Sequence, residues 1–421
     1  MSGASVTVMT FLSGILIARV LGPTARGDYG AAILVIQMFS TLGSLSFFSA
    51  TILYLRRNEE RLMSLIPSML AAAFAISIFA TAVFGAILPA VPIKLETISK
   101  SSLLLTSAIY IVALMLVQCF DAAERGQMVF GRVNLSRVAA PATFTLLLFV
   151  AWLIPGLNIT ALTVVILFLL SKAPELLILA NGYLRHAFSS LDLSFIREIG
   201  PLGLRLHIAV ALSAISSQID RIVAVGVWNS GLLGQYFVAY SAVGAGFAVL
   251  TTAVNTILLP YLAGLESDRR TSQVMRTFRL TVLVSIVFAL VGVVFLPNFV
   301  PWVYGADYDV AGALSVQLVL AMVFLPLRAL VLETTRSRGR GWPAVELSLV
   351  SMAVMIMGYF LTGFVVPAQL IATFALANLL SVLTGMRHLW KDGDIKLGSG
   401  LLPGVSDLHW LFRALRSRGK R

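Results

Sequence analysis

Apolar stretches close to the ~20 residues that a bilayer-spanning helix requires recur along almost the whole chain, and the connections left between them are about twenty residues at most. About twelve such windows are present, near residues 6–21, 29–55, 65–88, 101–120, 138–154, 159–180, 203–227, 235–262, 278–296, 312–332, 343–363 and 367–390. No soluble domain fits between them. Composition agrees: of 421 residues, 58% are hydrophobic and 12% charged, whereas soluble domains carry roughly a quarter charged residues. Mean hydropathy is +0.93. The pattern predicts an all-α polytopic membrane protein.

The single cysteine, Cys119, excludes an intramolecular disulfide, and His186, His207, His388 and His409 are too scattered for a metal site. No phosphate-binding G-x-x-x-x-G-K-[ST] loop, H-E-x-x-H or G-x-S-x-G occurs, so no catalytic residue and no metal is assigned. The stretch from Val6 to Leu21 lacks a basic leader and a small-residue cleavage pattern, and is read as a retained helix.

A net charge of +12 is explained by placement rather than by nucleic acid. With a cytoplasmic N-terminus, "RRNEER", "ERGQMVFGRVNLSR", "RHAFSSLDLSFIRE", "ESDRRTSQVMRTFR", "TTRSRGRG" and the tail face the cytoplasm. About 23 Lys and Arg then lie inside and about 3 outside, as the positive-inside rule demands. The opposite connections include "GPTARGD", "AVPIKLETISK" and "PNFVPWVYGADYD". Both termini are placed on the cytoplasmic side, and the tail "WLFRALRSRGKR" suits the anionic inner leaflet.

An internal repeat recurs at an offset of about 207 residues. Gly27-Asp28-Tyr29 matches Gly234-Gln235-Tyr236, Tyr54-Leu55 matches Tyr261-Leu262, and "LPAVP" from Leu88 resembles "LPNFVP" from Leu296. Duplication of six helices keeps both copies in one orientation, as in a two-lobed transporter with its substrate path between the lobes. The expected organisation is one six-helix lobe over residues 1–190, a second over 191–390, and a basic tail over 391–421. The polar stretch from Asn181 to Gly203 joins the lobes as a cytoplasmic connector.

Charged side chains inside the bilayer cost on the order of 3 kcal/mol each, so each must snorkel, pair or face water. The cations Arg19, Lys172, Arg205, Arg221 and Arg328 outnumber the acids Glu175 and Asp220, which favours an anionic ligand over internal pairing. Arg19 either snorkels to the outer surface or, with Arg26 beyond the Gly22-Pro23 turn, lines the mouth of a cleft; guanidinium suits bidentate phosphate contact. Lys172 and Glu175 share a face of one helix and read either as a self-neutralising pair or as ligand and coupling groups. Asp220 and Arg221 diverge by ~100° around their helix, and read either as an interhelical pair or as a cleft-facing cation beside a coupling acid. Arg205 and Arg328 lie near the cytoplasmic mouth. Gln37 and Asn255 read as interhelical hydrogen-bond glue.

"ARVLGPTARGDYGAA", "IDRIVAVG" with "LGQYFVAYSAVG", and "LPNFVPWVYGADYDVAGALSVQL" resemble the polysaccharide or O-antigen flippase branch of the multidrug/oligosaccharidyl-lipid/polysaccharide (MOP) exporter superfamily. The resemblance implies a V-shaped fold of two six-helix lobes. It also implies a function: translocation of an undecaprenyl-diphosphate-linked glycan, a surface polysaccharide repeat unit, from the inner to the outer leaflet by alternating access. It further implies a cationic central cavity, with Arg19 and Arg221 as lining groups. Arg26, Arg205 and Lys172 are the other candidate substrate contacts. No cofactor is expected, and a coupling ion, Na⁺ or H⁺, is left open; the partners are the lipid-linked glycan, the bilayer and polysaccharide assembly proteins, without nucleic acid. The alternatives are a cation-coupled multidrug exporter, whose cationic substrates the cation excess would repel, and a glycan polymerase or ligase, which needs a larger periplasmic loop. An inert assembly scaffold is the third, and it would tolerate loss of the buried charges.

Overall fold

The structure is a computed structural model that describes residues 2–186, 190–263, 267–338 and 341–395. Residues from 396 onward and the side chains of Asn255, Tyr261 and Leu262 lie outside the described residues, and so do His409, most of the tail and part of the second repeat match. Every regular element among the described residues is helical.

The first helical run, α1 (Ser2–Gly43), holds Gly22 at φ 69°, ψ 174°. That conformation is open to glycine and costly for other residues, so α1 is two helices meeting at a kink, with Pro23 opening the second. Among the described residues, eleven runs are long and apolar enough to cross a membrane. The kink divides the first of them, which therefore contains both the first and second expected spans. The second span resumes as α2 (Phe47–Leu55) after a turn in which Leu45 and Ser46 have φ 49° and 50°.

Next come α3 (Leu62–Ile87), α4 (Lys100–Gly126), α5 (Phe130–Leu153), α6 (Ala161–Leu170) and α7 (Lys172–Ala180). They are followed by α8 (Leu193–Val227), α9 (Ser230–Ala263), α10 (Ser267–Tyr304), α11 (Asp309–Met322), α12 (Phe324–Arg336), α13 (Trp342–Thr362) and α14 (Pro367–Lys391). The breaks at Ser171 and Val323 fall just ahead of Pro174 and Pro326. Each proline lacks an N–H, and its ring displaces the carbonyl one turn earlier.

The helices form two compact units, Met1–Val238 with Trp302–Tyr308, and Ala239–Pro301 with Asp309–Arg421. In the first, Phe47, Leu55, Ile66, Met115, Phe120 and Phe195 belong to one buried cluster. In the second, Phe278, Leu330, Leu347, Val382 and Leu389 do so, and buried Asp394 accepts bonds from Arg270 Nε at 2.8 Å and Arg338 Nη2 at 2.7 Å.

Several connections are shorter than the sequence suggests. Helix α10 runs through Pro297 and Pro301 to Tyr304, so most of "PNFVPWVYGADYD" is helical. Pro23 to Gly30, read as partly loop, is helical as well. The reason is common to both: hydropathy reports the lipid-facing length, whereas a helix continues into polar sequence wherever its ends find partners.

The connector is another case. Its second half is the start of α8, and Asp192 caps that helix by accepting from Phe195 N at 3.2 Å and from the Ser194 hydroxyl. Asp192 also pairs with Arg61 at 2.6 Å, and its own N–H donates to Ser68 Oγ at 2.7 Å. The Ser194 hydroxyl and Phe195 N–H hold its carboxyl below the usual carboxylate range. A depressed folded pKa means this anchorage is intact above the ordinary carboxylate range and is lost as pH falls through the lowered value. Limited proteolysis near neutral pH should therefore cut between Asn181 and Leu191 and spare 193–203. Asp192→Ala, or strong acidification, should extend cleavage into the first turns of α8; unchanged cleavage would contradict the cap.

Candidate functional site

The kink at Gly22 places Arg19 at the end of one helix and Arg26 in the first turns of the next. Arg19 Nε donates to the Val303 carbonyl at 2.8 Å and Nη2 to the Trp302 carbonyl at 3.0 Å. These carbonyls belong to the last turn of α10, where no intrahelical N–H remains to reach them. A guanidinium there caps a helix C-terminus and opposes its partial negative charge. Tyr308 Oη adds a bond to the Ala18 carbonyl at 3.1 Å.

Asp28 is fully buried. Its Oδ2 accepts from Glu96 N at 3.0 Å, Thr97 N at 2.5 Å and Thr97 Oγ1 at 2.6 Å, and its Oδ1 accepts from Ser230 Oγ. The repeat partner of Asp28 is Gln235, whose Nε2 donates to the Asp307 carbonyl at 2.7 Å. In each copy the same position thus anchors the segment that follows the "LPAVP" or "LPNFVP" run. The glycines beside them complete the symmetry: a Cβ on Gly27 would strike the Ser230 carbonyl, and one on Gly234 the Pro23 carbonyl. Backbones approach this closely only where both residues lack side chains.

With Asp28 saturated, Arg26 is left alone. The residue is 7% exposed, its Nε is sealed without a hydrogen-bond partner, and no described residue forms an ion pair with it. Its contact is the Tyr29 ring, 5.4 Å from Cζ to centroid, and it lies within electrostatic reach of Tyr304 and Tyr308. Tyr304 is 1% exposed and its hydroxyl also lacks a partner. Burial of a cation costs several kcal/mol, while a cation–π contact returns roughly 0.5–2 kcal/mol. Arginine does not escape by deprotonation. Desolvation therefore outweighs what Tyr29 supplies, and the balance favours an anion.

The remaining candidates separate by partner. Lys172 Nζ meets Glu175 Oε2 at 2.9 Å and sits 5.7 Å from the Phe168 ring, which neutralises both charges. Asp220 is fully buried and takes the Tyr236 hydroxyl at 2.7 Å, with Arg221 Nε only within 4.0 Å of its other oxygen. Arg221 Nη2 turns back to the Ser217 carbonyl at 3.2 Å. Arg205 is exposed on α8, and Arg328 is buried on α12. The structure thus gathers Arg19 and Arg26 around Trp302–Tyr308, and leaves Lys172, Arg205 and Arg221 on other helices.

Asp28, Ser230, Gln235, Tyr236, Tyr304 and Tyr308 had no place in the sequence-derived site. The duplicated Gly-x-Tyr signature was the available pointer to half of them, since both copies of it sit at this junction.

The loose Asp220–Arg221 contact carries a prediction. Neutralising Arg221 alone should leave folding intact, because Tyr236 still holds Oδ2 of Asp220, whereas Tyr236→Phe should destabilise the protein by about 1–3 kcal/mol. Restoration of Arg221→Ala stability by a second change at Asp220, measured by thermal unfolding, would show instead that the ion pair dominates.

A family model described as "Polysaccharide biosynthesis protein" matches residues 1–266. No curated protein sequence matches the chain. Among solved structures, "Lipid II flippase MurJ, inward closed conformation" has a TM-score of 0.71 at 12% identity, covering 93% of this chain and 86% of that one. An "inward-facing conformation of a multidrug resistance MATE family transporter of the MOP superfamily" has a TM-score of 0.66 at 13% identity, covering 92% and 95%. A MOP superfamily transporter from Pyrococcus furiosus, described by a reverse polarity of its binding pocket, has a TM-score of 0.60 at 16% identity and covers 93% of each chain. At these identities the likeness establishes the fold, which is that of the MOP transporters.

Proposed function

Because the chain belongs to the polysaccharide biosynthesis protein family, we propose that it moves undecaprenyl-diphosphate-linked oligosaccharide from the inner to the outer leaflet of a bacterial cytoplasmic membrane by alternating access. Both termini face the cytoplasm in this reading. A diphosphate head group must cross ~30 Å of hydrocarbon, and the observation that carries the proposal is the buried, unneutralised guanidinium of Arg26. A neighbour in fold is named a lipid II flippase, which supports lipid-linked cargo.

Arg26 is the principal contact in this proposal, with Arg221 and Arg205 as further cations on the path. Arg19 acts first as the cap of α10, and its unused Nη1 leaves it a secondary contact. Lys172 is balanced by Glu175, so that pair reaches the substrate only if it opens. Asp220 and Glu175 are the acids through which Na⁺ or H⁺ would couple.

Deletion of the gene should abolish the surface glycan and accumulate lipid-linked repeat units on the inner leaflet, with ethidium efflux unchanged. Lowered ethidium efflux with normal glycan would favour the multidrug reading. Normal glycan export would refute the flippase.

A further inference from the structure

We propose that the break between α1 and α2 at Ser44–Ser46 is a conformational hinge in the second membrane span, held bent by His207 and Gly203 of α8. The hinge goes beyond the flippase reading and holds for any cargo. Leu45 and Ser46 have φ 49° and 50°, a left-handed conformation that costs free energy for any residue with a Cβ. Glycine would remove that cost. The segment does contain one, but it stands at Gly43, where a Cβ would lie only 2.4 Å from that of Ala80 on α3. The turn therefore holds strain that glycine at 45 or 46 would relieve.

The relaxed alternative is a continuous helix, in which Leu45 N–H would donate to the Thr41 carbonyl and Ser46 N–H to the Leu42 carbonyl. In the bent form the Ser44 hydroxyl substitutes at both places: it donates to the Thr41 carbonyl at 2.8 Å and accepts from Ser46 N at 3.4 Å. Serine offers a backbone this kind of replacement. Phe47 N–H then donates to the Ser44 carbonyl at 3.1 Å and α2 begins. Bent and straight forms thus differ by few hydrogen bonds, the condition for a two-state element that a neighbouring helix can bias.

The neighbour is α8. His207 Nδ1 lies 3.2 Å from the Ser46 hydroxyl. Gly203, one turn earlier on the same face, comes so near that a Cβ there would sit 3.1 Å from the Leu45 carbonyl oxygen and 3.2 Å from Phe47 Cα. On one side of the break, Phe195 packs edge-on against Phe47 and Tyr54 of α2, with centroids 6.0 and 5.3 Å apart. On the other, Gln218 Nε2 donates to Met38 Sδ of α1 at 3.2 Å. Helix α8 has a weak point of its own at this level, because Pro201 leaves the Arg197 carbonyl without its usual intrahelical donor. Displacing α8 from the break frees Ser46 and lets α1 and α2 straighten into one helix.

Spin labels read the bend. Leu53→Cys on α2 and Ile78→Cys on α3 are exposed positions, whereas Cys119 is buried and stays unlabelled. Leu53 lies about 12 Å beyond Leu45 along the helix, and Ile78 is two residues from Ala80, which packs on the other side of the break. Pulsed electron resonance on full-length protein in nanodiscs should show a main distance from the bent form and a minor one from the straight form. Leu45→Gly, which relieves the left-handed strain, should shift the ratio about fivefold toward the bent form. His207→Ala and Ser44→Ala, each removing a hydrogen bond peculiar to the bend, should shift it about fivefold the other way. Leu45→Gly is expected to fold, since glycine accepts that backbone, so the test survives misfolding of His207→Ala. The same distance distribution in wild type and every folded variant, or Leu45→Gly and His207→Ala shifting it in one direction, would overturn the hinge and leave His207 a structural contact.

Discussion

Replacing Gly234 by alanine is expected to destabilise the protein by about 3 kcal/mol or more, at the upper end of what one added methyl does in a packed interior. The cause is the partner: the new Cβ would overlap the Pro23 carbonyl, a backbone atom that no rotamer change can remove. Gly27→Ala should behave alike through the Ser230 carbonyl. Gly14, with nothing near its Cβ position, is the control, and alanine there should leave the unfolding midpoint unchanged or slightly raised. A Gly234→Ala protein as stable as Gly14→Ala would mean that the helices do not cross this closely.

Asp28→Ala should be similarly damaging, by a different route. It removes the acceptor of the Glu96 and Thr97 N–H groups and of the Thr97 hydroxyl at a part-buried junction, while the Ser230 hydroxyl keeps the Lys94 carbonyl at 3.2 Å. Each unsatisfied donor costs about 1–3 kcal/mol. Asp28→Asn should fold far better, since one amide oxygen can serve the three donors now at Oδ2, while its NH₂ can donate to Ser230 Oγ. Thermal unfolding of the two variants in parallel checks this. Equal loss in both would show that the charge, rather than the count of acceptors, holds the junction.

The number of spans, their order and the membrane class were legible because lipid imposes a length and a polarity that sequence displays directly. The kink at Gly22 was legible too, since Gly-Pro punctuates a helix in any setting. Helix ends were not: α10 passes through two prolines to Tyr304, and α8 begins at Leu193, because partners from distant segments stabilise turns that hydropathy scores as polar. For the site, Lys172 and Glu175 pair as their spacing suggests. Arg19 was recognisable as a cation at a helix end but not as the cap of a helix almost three hundred residues away, a relation beyond any local rule. Asp28 stayed hidden because its partners lie in two other segments, although the repeat that contains it could be read.

The most direct test of the account is translocation itself in vesicles containing only the purified protein. Fluorescent undecaprenyl-diphosphate oligosaccharide would be placed in the inner leaflet, and its arrival outside read by a membrane-impermeant quencher. Wild-type protein should deliver the lipid to the outer leaflet, and Arg26→Gln, incorporated at the same level, should fall to the rate of empty vesicles. Wild-type vesicles no faster than empty ones, or Arg26→Gln as fast as wild type, would contradict it.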